Sequence, residues 1–354
     1  MGKNYMSMEE LAGKINISRQ TLSSIINGTW KEKRISKATY NKTMALIEQF
    51  GYVPHSSARQ LSKTKNDTIG LIYHGNFFSH ISKAVQYLNN YFYTEKVPVN
   101  LKMTSSLALK ETVKELLGNR VSKIIIINTF DNLAERIIEE NILAFLQKIP
   151  VIIYNYHFDY EKDKEHRNIL LRHGISLVGF SRAKIYTSFF TTLQNSPYTT
   201  LFIDENIHFR LINSEFPKKL FSSFKHLHTY QQANMEEKEF DEFLVGESLG
   251  KQLLPELPVN EKSIIVTDSD MVAEGLANFL TDEGIDIPDQ VGLLGFDNLN
   301  ATKYFKIPIS TIEVPIKEMI SNVIWLLKSP KSTEPKDFIS GSNIIYRKSL
   351  IFNT

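Results

Sequence analysis

Short apolar runs alternate with longer amphipathic segments from Thr68 onward, and this alternation limits the possible folds more than any other feature of the sequence. Runs typical of buried strands occupy 69–73, 97–103, 124–128 and 151–154, and a second series occupies 175–180, 200–203, 263–267 and 291–296. Helical periodicity fills most of the intervals between them. Repeated strand-helix units predict parallel sheets covered on both faces, and two series of units predict two lobes.

A different pattern, made of three short helices, precedes this region. A capping box that begins at Ser7 predicts the first helix. Ser18 is placed to cap a second helix, 19–26, and Ser36 a third helix that ends near Gln49. Three short helices around a small core are typical of a helix-turn-helix unit, whose second helix lies in the DNA major groove.

Charge is distributed unevenly along the chain. The formal net charge is only +2, but residues 1–65 carry 11 Lys and Arg against 4 Asp and Glu, which leaves an excess of acidic residues in the remainder. A basic N-terminal segment favours a polyanionic partner. A solvated basic face with no partner remains the alternative.

Composition places the chain among globular proteins. Its 354 residues suit a small module followed by a large one, and 42% of them are hydrophobic and 23% charged. No cysteine is present, which excludes disulfides, thiolate metal sites and a cysteine nucleophile. The N-terminus lacks the apolar core of a secretory signal, and no apolar run reaches the roughly 20 residues that a bilayer requires. We therefore expect a cytoplasmic protein with no membrane partner.

Several segments of the N-terminal region share a fixed order with a known family. LAGKINISRQTLSSIING covers 11–28, and it is followed by RIS at 34–36, FGYVP at 50–54 and ARQL at 58–61. In the LacI/GalR family the corresponding patterns are V/L-A-x-x-A-G-V-S-x-x-T-V-S-R-V-L-N-G, V-S, L-G-Y-x-P and A-R-x-L. The region resembles the DNA-binding module of that family.

The C-terminal third carries the same resemblance. The segments are SIIVTDSDMVAEG at 263–275, GIDIPDQVGLLGFDN at 284–298, PISTI at 308–312 and YRKSL at 346–350. The resemblance implies an N-terminal all-α helix-turn-helix module of the lambda-repressor-like type, followed by an α/β two-lobed periplasmic-binding-protein-like domain.

The resemblance also implies a division of the chain. The expected parts are a helix-turn-helix DNA-binding domain at 1–54, a hinge helix and linker at 55–66, and an effector-binding and dimerisation domain at 67–354. Within the last part, the N-lobe is expected at about 67–174 plus 297–325, and the C-lobe at about 175–296 plus 326–354.

The resemblance assigns base contacts to the second helix. Arg19 can bond guanine O6 and N7, and Gln20 can bond adenine N6 and N7. Phosphate contacts that set the register are implied for Thr21, Ser23, Asn27 and Tyr52. Further DNA contacts are implied for Ser24, where the family usually has Arg, and for Ser36, Lys37, Ala58, Arg59 and Leu61. The alternative for each is an ordinary polar residue on the surface of a small helical domain.

Leu61 matches the family residue that wedges into a minor-groove step when two hinge helices meet on DNA. This mechanism needs two hinges side by side. It therefore implies a homodimer and a pseudo-palindromic double-stranded operator.

Ligands of open parallel sheets bind beyond the carboxyl ends of the strands, where Ser269, Asp270 and Asp297 are expected. The Asp297 carboxylate can accept hydroxyl hydrogen bonds from a sugar or sugar derivative, and Phe77 or Phe78 offers an apolar face. For Asp270, a helix-capping role remains the alternative. The family's R-x-x-G-F ligand motif is missing.

Catalytic motifs are missing from the sequence, including H-E-x-x-H, the phosphate-binding glycine loop and G-x-S-x-G. His157, Asp159 and His166 lie in a charged insertion whose irregular spacing favours a solvated loop over a metal site. We therefore expect no enzyme, no cofactor and no metal. The sequence predicts a regulator, expected to be a repressor, that responds to a small carbohydrate-type effector. The alternative is a regulator of the same fold that answers to a partner protein or has lost its small-molecule response.

Overall fold

The computed structural model describes residues 6–50, 52, 67–74, 79–104, 108–129, 132–159, 162–214, 220–232, 241–330 and 334–351. The chain divides into two compact units, Met1–Asp67 and Thr68–Thr354. Within the described ranges, no helix is both long and apolar enough to cross a membrane.

The N-terminal unit contains three helices: α1 (Met8–Lys14), α2 (Arg19–Ile26) and α3 (Lys37–Gln49). The predicted capping box is confirmed, since Ser7 Oγ accepts the Glu10 N–H at 3.1 Å and the Glu10 carboxylate accepts the Ser7 N–H at 2.7 Å. The predicted caps of α2 and α3 are confirmed as well, and each leaves its serine in extended backbone. The core of the unit consists of Leu11, Ala12, Leu22, Ile47 and Tyr52.

The large unit is built on two six-stranded sheets. Its strands are β1 (Ile69–His74), β2 (Val99–Thr104), β3 (Lys123–Asn128), β4 (Val151–His157), β5 (Ile175–Phe180), β6 (Thr200–Asp204), β7 (His226–Tyr230), β8 (Ser263–Val266), β9 (Val291–Asp297), β10 (Ser310–Glu313), β11 (Asp337–Ile339) and β12 (Asn343–Ile345). The first sheet has the order β11-β5-β4-β3-β1-β2, and the second has the order β12-β10-β9-β8-β6-β7. All neighbouring strands are parallel except β10 and β12.

Helices cover both faces of each sheet. They are α4 (Ser79–Thr94), α5 (Leu109–Gly118), α6 (Leu133–Glu139), α7 (Leu143–Leu146), α8 (Lys162–Arg172), α9 (Arg182–Thr192), α10 (Glu205–Ile212), α11 (Glu242–Leu253), α12 (Asp270–Asp282) and α13 (Ile316–Lys328), with 3₁₀ turns at Leu193–Asn195 and Leu254–Glu256. Apolar side chains of α5 to α8 pack on one face of the first sheet, and those of α4 and α13 on the other. In the second sheet, α11 and α12 cover one face and α9 and α10 the other. The alternation in the sequence is thus confirmed as two covered, mostly parallel sheets.

The expected boundaries of the two lobes are corrected by the strand pairing. Strand β5, expected to open the C-lobe, pairs with β4 over Val151↔Ile175 to His157↔Phe180 in the first sheet. Strand β10, expected in the N-lobe, pairs with β9 in the second. The chain therefore crosses between lobes after β5, after β10 and again between β11 and β12. A buried apolar run fits either sheet equally well, and only the long-range pairing decides which sheet it joins.

Two glycines allow α11 and α12 to approach each other closely. A Cβ atom added to Gly275 of α12 would lie 1.9 Å from the carbonyl oxygen of Phe243 in α11, and one added to Gly246 of α11 would lie 2.2 Å from that of Val272. The backbones of the two helices are in contact, which only residues without a side chain permit. Gly275 is also the last residue of the segment 263–275 that carried the family resemblance.

Candidate nucleic-acid interface and interlobe cleft

The first turn of α2 presents two long polar side chains. Arg19 and Gln20 are both exposed, and they are the first two residues of the helix. Their backbone is held by Ser18, whose Oγ accepts the Thr21 N–H at 3.0 Å. Leu22 and Ile25 on the opposite side of α2 are buried, so the apolar face fixes which side chains point outward. This arrangement can offer base-reading groups to a groove.

The other predicted DNA contacts differ in exposure. Asn27, Ser36 and Lys37 are exposed, whereas Thr21 and Ser23 are half-buried. The hydroxyl groups of three of these residues already have local partners: Thr21 with Ser18, Ser36 with Thr39, and Ser23 with the Asn27 amide. The hinge residues Ala58, Arg59 and Leu61 lie outside the described residues.

Two of the expected contacts are corrected. Ser24 is 9% exposed, and its Oγ donates to the Gln20 carbonyl oxygen at 2.9 Å, so it packs inward instead of facing a ligand. Tyr52 is 8% exposed and belongs to the core of the unit, where burial raises its pKa. Tyr52 matches the family pattern by type and Ser24 only by position, and the packing of the helices decides where both side chains lie.

Replacing Ser18 with alanine is expected to loosen the start of α2. The Thr21 N–H loses its acceptor, and losing an N-cap costs about 1 kcal/mol. Hydrogen exchange of the first amides of α2 should therefore be about fivefold faster. Ser18→Asp, which keeps an acceptor, is the matched control. An unchanged exchange rate in Ser18→Ala would contradict the capping role.

The large unit contains a cavity of about 380 Å³ between its two lobes. From the first lobe it is lined by His80, Thr129, His157 and Arg182, and from the second by Asp204, Asn206, Gln232, Glu242, Asp268, Ser269 and Asp297. Tyr186 and Phe296 add aromatic surface. A cavity of this size with convergent polar groups suits a small ligand.

Acidic side chains dominate the second-lobe wall because of the sheet topology. Asp204 ends β6 and Asp297 ends β9, while Asp268 follows β8 by two residues. These parallel strands are neighbours in the order β9-β8-β6, so their carboxyl ends meet at one edge. Glu242 begins α11 and accepts a hydrogen bond from Ser269 Oγ at 3.1 Å. Four carboxylates thus face one cavity.

The crowding of these carboxylates shifts their proton affinities. Burial, and then the charge of Asp268, raises the pKa of Asp204 to about 6. Burial and the charge of Asp297 raise the pKa of Glu242 to about 7. Asp268 is open to the cavity, yet the surrounding protein and the charge of Asp297 raise its pKa as well. Like charges in a confined space hold protons that isolated carboxylates would release.

Two polar side-chain contacts join the lobes. Arg210 of α10 donates from Nη1 to Asp159 Oδ2 at 2.6 Å, and the Asp159 side chain is fully buried. His80 of α4 places Nδ1 2.9 Å from Asp297 Oδ1. The insertion that contains Asp159 was expected to be a solvated loop, and at this residue that expectation is wrong because the carboxylate is enclosed between the lobes. Among the described residues no group of three potential metal ligands converges.

The predicted effector residues are only partly brought together. Asp297 and Ser269 line the cavity, and Asp297 adopts φ of 107°, a strained value for a residue other than glycine. Asp270 is corrected: it is fully buried, its Oδ2 accepts the Leu299 N–H at 2.7 Å, and burial raises its pKa to about 8. Nor does it cap the helix, since Ser269 does so. Phe77 and Phe78 lie outside the described residues.

Sequence reasoning missed several residues of the cavity. Asp204 and Asp268 follow predicted strands, so the same strand-end rule that found Asp297 would have found them. Glu242 gave no such signal because it begins a helix that does not directly follow a strand. Arg182 follows the predicted strand 175–180 by two residues, so the strand-end rule applies to it as well. Arg210 belongs to the last turn of a helix, and nothing in its local pattern separates it from a surface arginine.

Comparison with known proteins adds independent information. Residues 224–350 match the family model of a periplasmic binding protein-like domain. The HTH-type transcriptional regulator AscG of Escherichia coli (strain K12) is 23% identical over 98% of both chains. The lac repressor dimer bound to operator and the anti-inducer ONPF has a TM-score of 0.65 at 16% identity and covers 98% of this chain and 99% of its own. The chain shares the fold of the lac repressor.

The LacI/GalR likeness extends to a sugar complex. The transcriptional regulator CelR in complex with cellobiose has a TM-score of 0.56 at 15% identity, covering 97% of this chain and 99% of that one. These matches confirm the predicted fold class, a helix-turn-helix module with a two-lobed periplasmic-binding-protein-like domain. Among the described residues, Arg182 and Arg210 are the arginines that line the cavity.

Proposed function

We propose that the chain is a sequence-specific DNA-binding transcription regulator of the repressor type, and that a small carbohydrate-type ligand in the interlobe cavity modulates its affinity for an operator. The observation that carries the proposal is the exposed pair Arg19 and Gln20 on the capped first turn of α2. The similarity of the whole chain to a transcription regulator and to an operator-bound repressor supports the proposal.

The charge of the N-terminal unit supports a nucleic-acid partner. Residues 1–65 hold 11 Lys and Arg against 4 Asp and Glu, and Lys31, Lys33, Arg34 and Lys37 are all exposed. Cations that neutralise phosphates release counterions, so affinity should fall steeply as salt is raised. The proposal keeps the cytoplasmic location, because a regulator must share a compartment with DNA.

Selection of bound fragments from random or genomic DNA by the purified full chain tests the proposal. A recovered palindrome would support both DNA binding and a homodimer. A dimer with two-fold symmetry binds a DNA site whose two halves are related by the same symmetry. Failure to bind any double-stranded fragment in a salt-dependent manner would overturn it.

Arg19→Ala is expected to relax base discrimination at one position of each half-site by about 1–3 kcal/mol. Lys37→Ala should instead weaken binding to all sequences alike and reduce the salt slope, because a phosphate contact carries no sequence information. Titrations of specific and random duplexes at several salt concentrations measure both effects. Equal losses on specific and random DNA for Arg19→Ala would refute the base-reading assignment.

Control by a ligand follows from linkage between the cavity and the lobe arrangement. A ligand that binds one arrangement of the lobes more tightly shifts the population toward it, and operator affinity changes by the same differential free energy. The cellobiose complex of CelR supports a carbohydrate-type effector. Calorimetry against sugars and sugar phosphates tests this step. If none of them binds, control by a partner protein takes its place.

A further inference from the structure

The interlobe cavity is charged asymmetrically. Asp204, Glu242, Asp268 and Asp297 line the second-lobe wall, and the first-lobe wall contributes Arg182 and two histidines. The side chain of Gln232, which follows β7 by two residues, donates to Asp268 Oδ1 at 2.5 Å. Four adjacent strands, β9, β8, β6 and β7, therefore end in a row of acidic and amide groups along one rim.

The arginines near the cavity are engaged in other contacts. Arg210 is paired with Asp159, a carboxylate outside the cavity wall. Arg182 donates to Asn155 Oδ1 at 3.3 Å, and its guanidinium lies over the rings of Phe180 and Phe296 at 4.5 and 5.7 Å. With Asp159 included, five carboxylates stand against two guanidinium groups. The acidic wall thus keeps an excess of negative charge, with His80 beside Asp297.

Uncharged groups suit a ligand in the same space. Tyr186 is 2% exposed and lines the cavity. A phenol hydroxyl can both donate a hydrogen bond to a ligand hydroxyl and accept one from it. Asn206, Gln232 and Thr129 provide further uncharged groups that suit ligand hydroxyls.

We infer that the ligand of this cavity is polyhydroxylated and carries a protonated amine that faces Asp268, Asp204 and Glu242, an amino sugar being the simplest member of the class. The inference rests on the proposed function, since it specifies the effector of the same site. A neutral sugar satisfies the hydroxyl-binding groups and leaves the carboxylates uncompensated. An ammonium group compensates them at short range, where charge interactions are strong.

Proton release is a consequence that needs no variant to test. Asp204 and Glu242, with pKa values of about 6 and 7, are partly protonated near neutral pH. A bound cation favours their ionised forms and drives protons into solution. Affinity for the cation should therefore rise as the pH is raised through this interval, as long as the amine stays protonated.

Calorimetry on the purified full-length chain with the neutral, 2-amino and uronate forms of glucose, galactose and mannose tests the inference. At about pH 6, where such amines are protonated, at least one amino form should bind about tenfold or more tightly than its neutral counterpart, with the uronate weakest. Repeating the titration in two buffers of different ionisation enthalpy should show proton release. Tighter binding of a neutral or uronate form, binding of no amino form, or binding without proton release would overturn the inference.

Asp268→Asn separates the role of the charge from that of the fold. The amide keeps the size of the side chain, and the preference for the amino form should drop about tenfold. Asp282→Asn, which makes the same change on an exposed residue of α12, should leave it intact. A preference that survives Asp268→Asn would overturn the assignment. Operator binding by the unsubstituted chain is measured in parallel. If that chain prefers the amino form but binds no operator, only the proposed function is refuted.

Discussion

Replacing Gly275 with alanine is expected to destabilise the large unit by about 3 kcal/mol or more. The added methyl would lie 1.9 Å from the Phe243 carbonyl oxygen, which is backbone and has no rotamer to change. Helices α11 and α12 must then separate, and the apolar residues between them, including Val245 and Leu276, lose contact. Urea unfolding followed by fluorescence of Trp325, which lies in this unit, measures the loss.

Gly118 supplies the matched control. It is the last residue of α5, and an added Cβ would meet no atom within 4 Å. Gly118→Ala should therefore be neutral or stabilise the unit by about 0.5 kcal/mol, because alanine loses less backbone entropy. A Gly275→Ala protein as stable as Gly118→Ala would contradict the close contact of α11 and α12.

Removing the carboxylate of Asp159 is expected to cost about 3–5 kcal/mol. Asp159→Ala removes the buried carboxylate that accepts from the Arg210 guanidinium, and it also deprives the Ala183 N–H of its acceptor at 3.0 Å. Because Asp159 and Arg210 belong to different lobes, the two lobes should also become easier to separate. The denaturant midpoint reports the first effect, and small-angle scattering of the full chain reports the second.

A double-mutant cycle tests whether the ion pair itself is responsible. Asp159→Ala combined with Arg210→Met should be less destabilised than the sum of the single variants, with a coupling of about 2 kcal/mol. Asp289 and Lys262 form an exposed pair at 3.3 Å, and Asp289→Ala should cost less than about 1 kcal/mol. Additive effects at Asp159 and Arg210 would show that no net interaction joins them.

Local chemistry predicted the helices well and the sheets less well. The caps at Ser7, Ser18 and Ser36 depend on residues three positions apart, so the sequence contains all the information they require. The run 175–180 was recognised as a strand, yet its sheet depends on pairing with residues far along the chain. Strand β7 was missed because it is an edge strand whose residues are mostly polar and mostly exposed.

The same limit applies to the cavity and to the helix-turn-helix surface. Asp297 was found because a strand end is visible in the sequence, whereas Asp270, two residues beyond Asp268, was assigned to the ligand and is buried against the Leu299 N–H. Whether a polar residue near a strand end faces the cavity or the core depends on the rotation of the following helix. Ser24 shows the same effect on α2.

The three crossings between lobes affect how the protein is made. The first sheet receives its edge strand β11 and one of its covering helices, α13, from 316–339, after the whole second sheet except β12 has been synthesised. During translation the first lobe consequently remains incomplete until residue 339 has left the ribosome. The two lobes should therefore complete their folding together. A nascent chain halted before residue 316 should expose the apolar sheet face that α13 covers.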